Sequence, residues 1–274
     1  MKILITGGKG YIARNLARLL SEKNHVVLNP GREELNILDI LSLQAYLKKE
    51  KFDAILHCAT KGGKRYVMDT FEQVYVPNIQ MFENLMFVGS EEIPIILFGS
   101  GAEYDRRDDI QNCRENDIFF SWPLDPYGLS KNIITRRKRT NMRVLRLFGC
   151  FNYDEDDSRF IKNSINNIKR GLPIEIYQDK LMDYFFLDDI IPVIEYCFEH
   201  KTPYDINLVY NTKMDLIILA SKIYEYAGIS DYRINLSNIG HDKEYTGNGN
   251  TLASLHLPLI GLEEGLRRTV NTLL

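Results

Sequence analysis

The run Tyr127-Gly128-Leu129-Ser130-Lys131 sets a phenol and an ammonium four residues apart, a spacing that puts both on one face of a helix. An ammonium beside a phenol favours the phenolate, so the pair can give or take a proton near neutral pH. Tyr-x-x-x-Lys is frequent by chance and gains weight only from its surroundings. Ser100 adds to it: it closely follows the apolar run 95–98, which predicts a strand with Ser100 at its end, where a hydroxyl can polarise a substrate carbonyl. A second constellation, Gly7-Gly8-Lys9-Gly10-Tyr11-Ile12-Ala13, lies between the first apolar run and the first helical pattern. Glycines there permit a tight turn and let a pyrophosphate approach the backbone, while Ala13 allows close packing of helix on strand. Free amides at the helix start then face the phosphates. An ordinary strand-to-helix turn also carries glycines, but strand, glycines and helix agree here, and the segment reads as a dinucleotide site.

An acid ending the second apolar strand would bond the adenosine ribose and mark NAD. Instead His25-Val26-Val27-Leu28 runs into Asn29-Pro30-Gly31-Arg32, so Lys9 and Arg32 could surround a 2′-phosphate. The alternative is two surface charges. The cofactor expected is NADP(H), with NAD possible.

Holding these groups falls to alternating apolar runs and helical patterns. Strands are expected over 2–6, 25–28, 54–57, 95–98 and 143–148, and helices over 11–21, 42–50, 73–88 and 126–138. Such alternation demands a parallel sheet, because each crossover helix returns the chain to the same end of it. After Gly149 the regularity falls away into helices near 158–170, 188–199, 214–227 and 262–273 with a short strand at 174–177. The expected class is α/β, a Rossmann-type doubly wound parallel sheet with a smaller C-terminal lobe. Residues 1–149 would bind the nucleotide and 150–274 mainly the substrate, with some later segments returning to the core. Ligands in such folds sit at the carboxyl ends of the strands.

Composition narrows the classes. The 274 residues are 45% hydrophobic, 26% charged and 11% aromatic, and no apolar run reaches the roughly 20 residues of a membrane span. A net charge of -3 argues against a nucleic-acid surface, and the basic run Arg136-Arg137-Lys138-Arg139 reads as a solvated helix end. Cys58, Cys113, Cys150 and Cys197 form no C-x-x-C pair, so reduced structural thiols are expected. The N-terminus reads as a strand entering a glycine turn rather than a signal peptide, which implies a cytoplasmic protein. His57 has no His or Cys partner at ligand spacing and is expected to be structural, and no metal site is expected.

Four segments in order, Thr6-Gly7-Gly8-Lys9-Gly10-Tyr11-Ile12-Ala13, Gly99-Ser100-Gly101-Ala102-Glu103-Tyr104, Tyr127-x-x-x-Lys131 and Asp183-Tyr184-Phe185-Phe186-Leu187-Asp188-Asp189, resemble the extended short-chain dehydrogenases/reductases, the NAD-dependent epimerase/dehydratase family. The resemblance implies that Ser100, Tyr127 and Lys131 form the catalytic triad and that Lys131 also binds the nicotinamide ribose. Within the family, Arg32-Glu33-Glu34-Leu35-Asn36-Ile37-Leu38-Asp39 and Ala59-Thr60-Lys61-Gly62-Gly63 are similar to the GDP-L-fucose synthase branch. That likeness implies that Lys9 and Arg32 hold the NADPH phosphate, with Asp39, Ile40, Ala59, Thr60 and Lys61 also beside the cofactor. Family members pair through the helices matching 73–88 and 126–138, so a homodimer is expected.

The departures bear on the reaction. Dehydratases of the family place an Asp-Glu pair directly after the triad Ser/Thr; here those places hold Gly101 and Ala102, and Glu103 comes one residue late. The fucose synthases carry a Cys two residues after the serine and a downstream His that together epimerise the sugar. Here the Cys place is Ala102 and the His place falls near Arg159. Simple reduction of a 4-keto nucleotide sugar is left, with an NAD-dependent 4-epimerase and a catalytically silent nucleotide-binding protein as alternatives. Met182 stands where family members carry a diphosphate-gripping Arg, for which Arg159, Lys162 or Lys180 could substitute. Ser100, Gly101, Ala102 and Trp122 are the other substrate-facing candidates.

Overall fold

Side chains from Ile3 to Thr6 are buried, so β1 (Lys2–Thr6) is a strand covered on both faces. β3 (Ala54–His57) and β4 (Ile95–Ser100) are buried throughout, as parallel strands flanked by crossover helices must be. In the computed structural model, which describes residues 1–63, 67–200 and 205–274, six strands hydrogen-bond in the order β10 (Ile206–Leu208), β6 (Met142–Leu147), β4, β3, β1 and β2 (Val26–Leu28). β2 with β1, β1 with β3 and β3 with β4 run parallel, Ile3 lying opposite Val27 on one side and Ala54 on the other. The architecture is the expected α/β Rossmann type. From β1 the chain goes first to β2 and then to β3 on the opposite side. The glycine turn after β1 and the loop after β3 therefore meet at the switch point, where open α/β sheets bind ligands.

The helices start and stop on local chemistry. α1 (Tyr11–Glu22) buries Ala13, Leu16 and Leu20, one face of a helix. α2 (Ile40–Lys49) is capped by Asp39, whose carboxylate accepts from Leu41 N at 2.9 Å, and ends on Lys48 and Lys49, which suit its negative pole. α3 (Val76–Val88) follows a wider turn begun by Thr70 and leaves Val76 and Phe87 exposed. α4 (Pro126–Arg137) has proline in its first turn, and the Asp125 carboxylate accepts from Gly128 N at 2.8 Å. Among the described residues no helix is long and apolar enough to cross a membrane.

The chain divides into two compact units that interleave: 1–105, 115–146 and 191–206 make the first, and 106–114, 147–190 and 207–274 the second. Most of α6 (Ile190–Glu199) lies in the first unit, whereas a single cut after Gly149 misses the excursion of 106–114. That excursion exists because β5 (Ile110–Cys113) pairs with β12 (Tyr245–Gly247), a strand too short and polar to announce itself by periodicity.

The second unit also holds the pair β7 (Cys150–Phe151) and β9 (Phe185–Phe186) and the ribbon of β8 (Ile174–Asp179) with β11 (Ile234–His241). Its helices are α5 (Phe160–Lys169), α7 (Leu216–Tyr226), α8 (Asn250–Ala253) and α9 (Leu262–Leu273). Phe151, Ile161, Ile165, Ile176, Leu219 and Leu266 belong to its core. Asp188 and Asp189 stand in the 3₁₀ turn that leads into α6, and the buried Asp189 also accepts from Ile260 N at 2.7 Å and Gly261 N at 2.9 Å, at the entry to α9.

Candidate active site

The glycine turn is nested between the ends of two other strands. Gly7 has φ +73°, and Gly10 N donates to Gly7 O at 2.8 Å. A Cβ on Gly7 would lie 2.8 Å from the Ala59 Cα, and one on Gly8 would lie 2.3 Å from the Asn29 carbonyl oxygen. Gly10 is different: its closest neighbour would be the turn's own Gly7 carbonyl at 3.1 Å, and α1 begins there without a side-chain cap. The result is an open cradle at a helix N-terminus followed by Tyr11 and Ile12, and these residues fit a diphosphate.

Lys9 and Arg32 are both exposed, and Lys9 Nζ lies 3.0 Å from Glu33 Oε1. The hydrogen bond from Lys9 holds the Glu33 carboxyl below the usual carboxylate range. Asp39 is engaged in capping α2, which Ile40 opens.

The loop after β3 is tied on both sides. Ala59 N donates to Thr6 Oγ1 at 3.2 Å, and the same oxygen lies 3.0 Å from His57 Nδ1. Beyond Thr60, Lys61 N donates to Asn78 Oδ1 at 2.7 Å, and Asn78 Nδ2 donates to Lys61 O at 3.1 Å and to Ser130 Oγ at 3.0 Å. Ser130 Oγ donates in turn to Tyr127 O at 2.7 Å. Asn78 thus clamps the loop to the helix that carries Tyr127. Sequence reading missed it, although an asparagine on the apolar face of a helix is a legible signal. The loop then passes over the phenol: a Cβ on Gly63, at φ +73°, would lie 3.0 Å from Tyr127 Cζ.

Lys131 is buried, and its Nζ donates to Phe98 O at 2.8 Å, two residues before Ser100 on β4. The same ammonium lies 5.9 Å from the Tyr127 ring centroid. Burial pushes the Lys131 pKa down to about 8, with Glu103 and Cys58 acting in the opposite direction. Burial and then Lys131 hold His57 down at about 3, so its ring is neutral at ordinary pH. Burial raises the Cys58 thiol well above its usual range.

Ser100 opens a single 3₁₀ turn of Gly101, Ala102 and Glu103. Its Oγ accepts from Ala102 N at 3.1 Å, and its backbone N donates to Glu103 Oε1 at 2.9 Å. Glu103 Oε2 accepts from Thr135 Oγ1 at 2.9 Å and from Arg146 Nε at 2.9 Å, and Arg146 Nη2 is 2.8 Å away. Burial opposes the charge on Arg146, but Glu103, Tyr104 and Asp205 outweigh it and raise the guanidinium's pKa. The spacing Ser100-x-x-Glu103 is a capping-box signature and could have identified this glutamate from sequence.

Trp122 is half exposed, with the Arg136 guanidinium 4.6 Å from its ring. Arg136 also donates to Ile118 O at 2.6 Å and Ser121 O at 3.0 Å. The basic run is therefore not simply a solvated helix end: Arg136 fastens the turn at 115–120 to α4, and Lys138 pairs with Asp205 at 3.2 Å. In the second unit, Arg159 Nε lies 3.3 Å from Glu155 Oε2, Lys162 Nζ 3.1 Å from Asp157, and Lys180 Nζ 3.5 Å from Asp242. Met182 packs against that unit's core. Among the described residues no three His, Cys, Asp or Glu side chains are grouped to hold a metal.

Residues 3–211 match the NAD dependent epimerase/dehydratase family. Over 212 residues the chain is 41% identical to GDP-6-deoxy-D-talose 4-dehydrogenase of Aggregatibacter actinomycetemcomitans, covering 71% of this chain and 69% of that protein. The fold is similar to dTDP-4-dehydrorhamnose reductase of Bacillus anthracis in complex with NADP, with TM-score 0.83, 16% identity and coverage of 99% of this chain and 98% of the other. It is also similar to GDP-mannoheptose C4 reductase of Campylobacter jejuni with NADP bound, with TM-score 0.81, 16% identity and coverage of 99% and 97%. At such identities the structural likeness is one of fold.

Proposed function

The chain belongs to the NAD dependent epimerase/dehydratase family, and from that premise we propose that it reduces a 4-keto nucleotide-activated deoxy sugar with NADPH, without epimerisation. The observation that carries this reading is the buried Lys131 ammonium, seated on the Phe98 carbonyl beside the Tyr127 ring, with Ser100 at the end of the same strand. The name of the 41% identical relative supports it, since removing hydride from carbon 4 of a GDP-sugar is the reverse of reducing the ketone there.

Gly7, Gly8, Gly10, Tyr11 and Ile12 would hold the diphosphate, Lys9 and Arg32 the 2′-phosphate, and Ala59, Thr60 and Lys61 the edge of the nicotinamide half. When bound, the cofactor supplies hydride to the carbonyl carbon. Ser100 Oγ accepts from Ala102 N, which leaves its hydroxyl proton to be donated to the carbonyl oxygen of a bound sugar. Tyr127 transfers its phenolic proton to that oxygen. Lys131 balances the phenolate left behind, and the neutral His57 adds no competing charge.

Epimerisation beside the ketone would need two further groups, one removing a proton from carbon and one returning it on the other face. By the family resemblance Ala102 takes one of those places and the other falls near Arg159, and neither is a side chain suited to exchange a carbon-bound proton. A panel of GDP-, CDP-, dTDP- and UDP-4-keto sugars, followed by loss of NADPH absorbance in D₂O, tests the reading. One sugar should be reduced with no deuterium at carbons 3 and 5 beyond a no-enzyme control. Enzyme-dependent deuterium at either carbon would overturn it.

A further inference from the structure

We propose that Glu103 is a positioning residue of this reductase, a role that rests on the reading above: its buried carboxylate locks the serine turn to the helix that carries the tyrosine and lysine. One carboxylate joins three elements. Oε1 accepts from Ser100 N on β4, and Oε2 accepts from Thr135 on α4 and from the Arg146 guanidinium on β6. Its own carbonyl accepts from Asn132 Nδ2, again on α4, at 2.8 Å. Both charged side chains are completely closed to water. Even the strand makes room for it: a Cβ on Gly99 would lie 2.3 Å from Glu103 Oε1 and 2.5 Å from Val144 Cγ1.

Packing alone does not call for charge here, because a well-fitted apolar pair is commonly as stable as a buried ion pair. An apolar pair could neither accept the Ser100 amide nor offset the Lys131 ammonium. Glu103 does both. With Ala102 N on its Oγ and Glu103 on its backbone N, Ser100 is gripped at both ends, which fixes where its hydroxyl can aim. Among the described residues, groups that act on Lys131 include the Phe98 carbonyl, the Tyr127 ring, neutral His57, the Cys58 thiol and Glu103. Of these, Glu103 brings the negative charge, and it does so without touching substrate.

Two variants separate the parts of this role. Glu103→Gln keeps the shape and removes the charge; Arg146→Lys keeps both charges and loses the planar fork. With GDP-4-keto-6-deoxymannose as the probe sugar, each should lower kcat by about 10- to 100-fold, the cost of a misplaced reacting group. NADPH binding, read by fluorescence, should stay within about twofold, since neither residue belongs to the cradle.

The Lys131 side-chain signal, identified by its loss in Lys131→Met, is titrated by NMR without sugar. Its midpoint should be lower in Glu103→Gln than in wild type and unchanged in Arg146→Lys, since Glu103 holds the ammonium's pKa up. Should Glu103→Gln not fold, Arg146→Lys carries the test through kcat and NADPH affinity. An unchanged kcat, an unmoved Lys131 midpoint in folded Glu103→Gln, or a kcat loss matched by an equal loss of NADPH affinity overturns the inference. Tyr127→Phe tells the two readings apart. If it abolishes turnover while the Glu103 variant keeps it, only the positioning role falls; if it retains turnover, the reductase reading falls as well.

Discussion

Arg146 in the first unit and Arg159 in the second each face a glutamate, yet the surroundings of the two pairs differ. Arg146 and Glu103 have side-chain exposures of 0% and 0%, and the carboxylate is shared with Ser100 and Thr135. Arg159 is 41% exposed, above a Glu155 that is itself only 2% exposed and also accepts from Lys162 N at 3.1 Å. A buried pair is hard to exchange because parting it strands a charge away from water. In the second pair only the guanidinium faces water, so that cation can turn to a ligand phosphate while the buried Glu155 keeps its backbone partner. The contrast is one of fixed geometry at Arg146 and an exchangeable cation at Arg159.

The comparison breaks first at Arg146. Arg146→Met should cost about 3–5 kcal/mol of stability, because it leaves Glu103 charged and buried. The equivalent Arg159→Met should cost less, about 1–2 kcal/mol, because its guanidinium already faces water and the buried Glu155 keeps the Lys162 amide. Urea unfolding of both chains checks this, and equal losses would remove the distinction between the pairs.

Lys131 sharpens it. Its pKa falls from 10.5 to about 8 on folding, so keeping the ammonium buried costs on the order of 3 kcal/mol below pH 8. The sign follows from the depression. Below pH 8 both states carry the proton and the cost is full; between pH 8 and 10.5 the folded state releases it first and the cost fades. Lys131→Met should therefore melt higher than wild type at pH 7, with the gap closing as pH rises through that window, while turnover is lost. A lower melting temperature for Lys131→Met at pH 7 would show that the burial penalty is met elsewhere.

The smallest effect belongs to the exchangeable cation. Arg159→Ala should raise the KM for the nucleotide sugar by about 3- to 10-fold with kcat nearly unchanged, the signature of lost uniform binding. Steady-state kinetics at saturating NADPH decide it, and a fall in kcat with KM untouched would move Arg159 into the catalytic machinery.

Much of the first unit was legible because short-range rules agree there. The apolar runs of β1, β3 and β4 are buried on both faces, and Gly7 to Ala13 sits between a strand and a helix, so each local pattern admits one reading. The bounds of β1, β3 and α9 coincide with those read from the sequence. The second unit was less legible: β5 and β12, with exposed Gln111 and Asn112 in the former, lack the pattern of a core strand and are held by pairing with each other and, for β12, with the segment 181–183.

The sequence by itself determined the alternation of strands and helices, the glycine cradle, and the spacing that sets Tyr127 and Lys131 on one helix face. The tertiary structure alone decided which side chains hold those groups: Asn78 between the Lys61 loop and Ser130, Arg136 on the turn at 115–120, and Glu103 between Arg146 and Ser100. The reason is sequence distance. Helical and strand periodicities are local and can be read along the chain, whereas Glu103 and Arg146 are 43 residues apart, and what makes their pairing matter is the exclusion of water by everything packed around them.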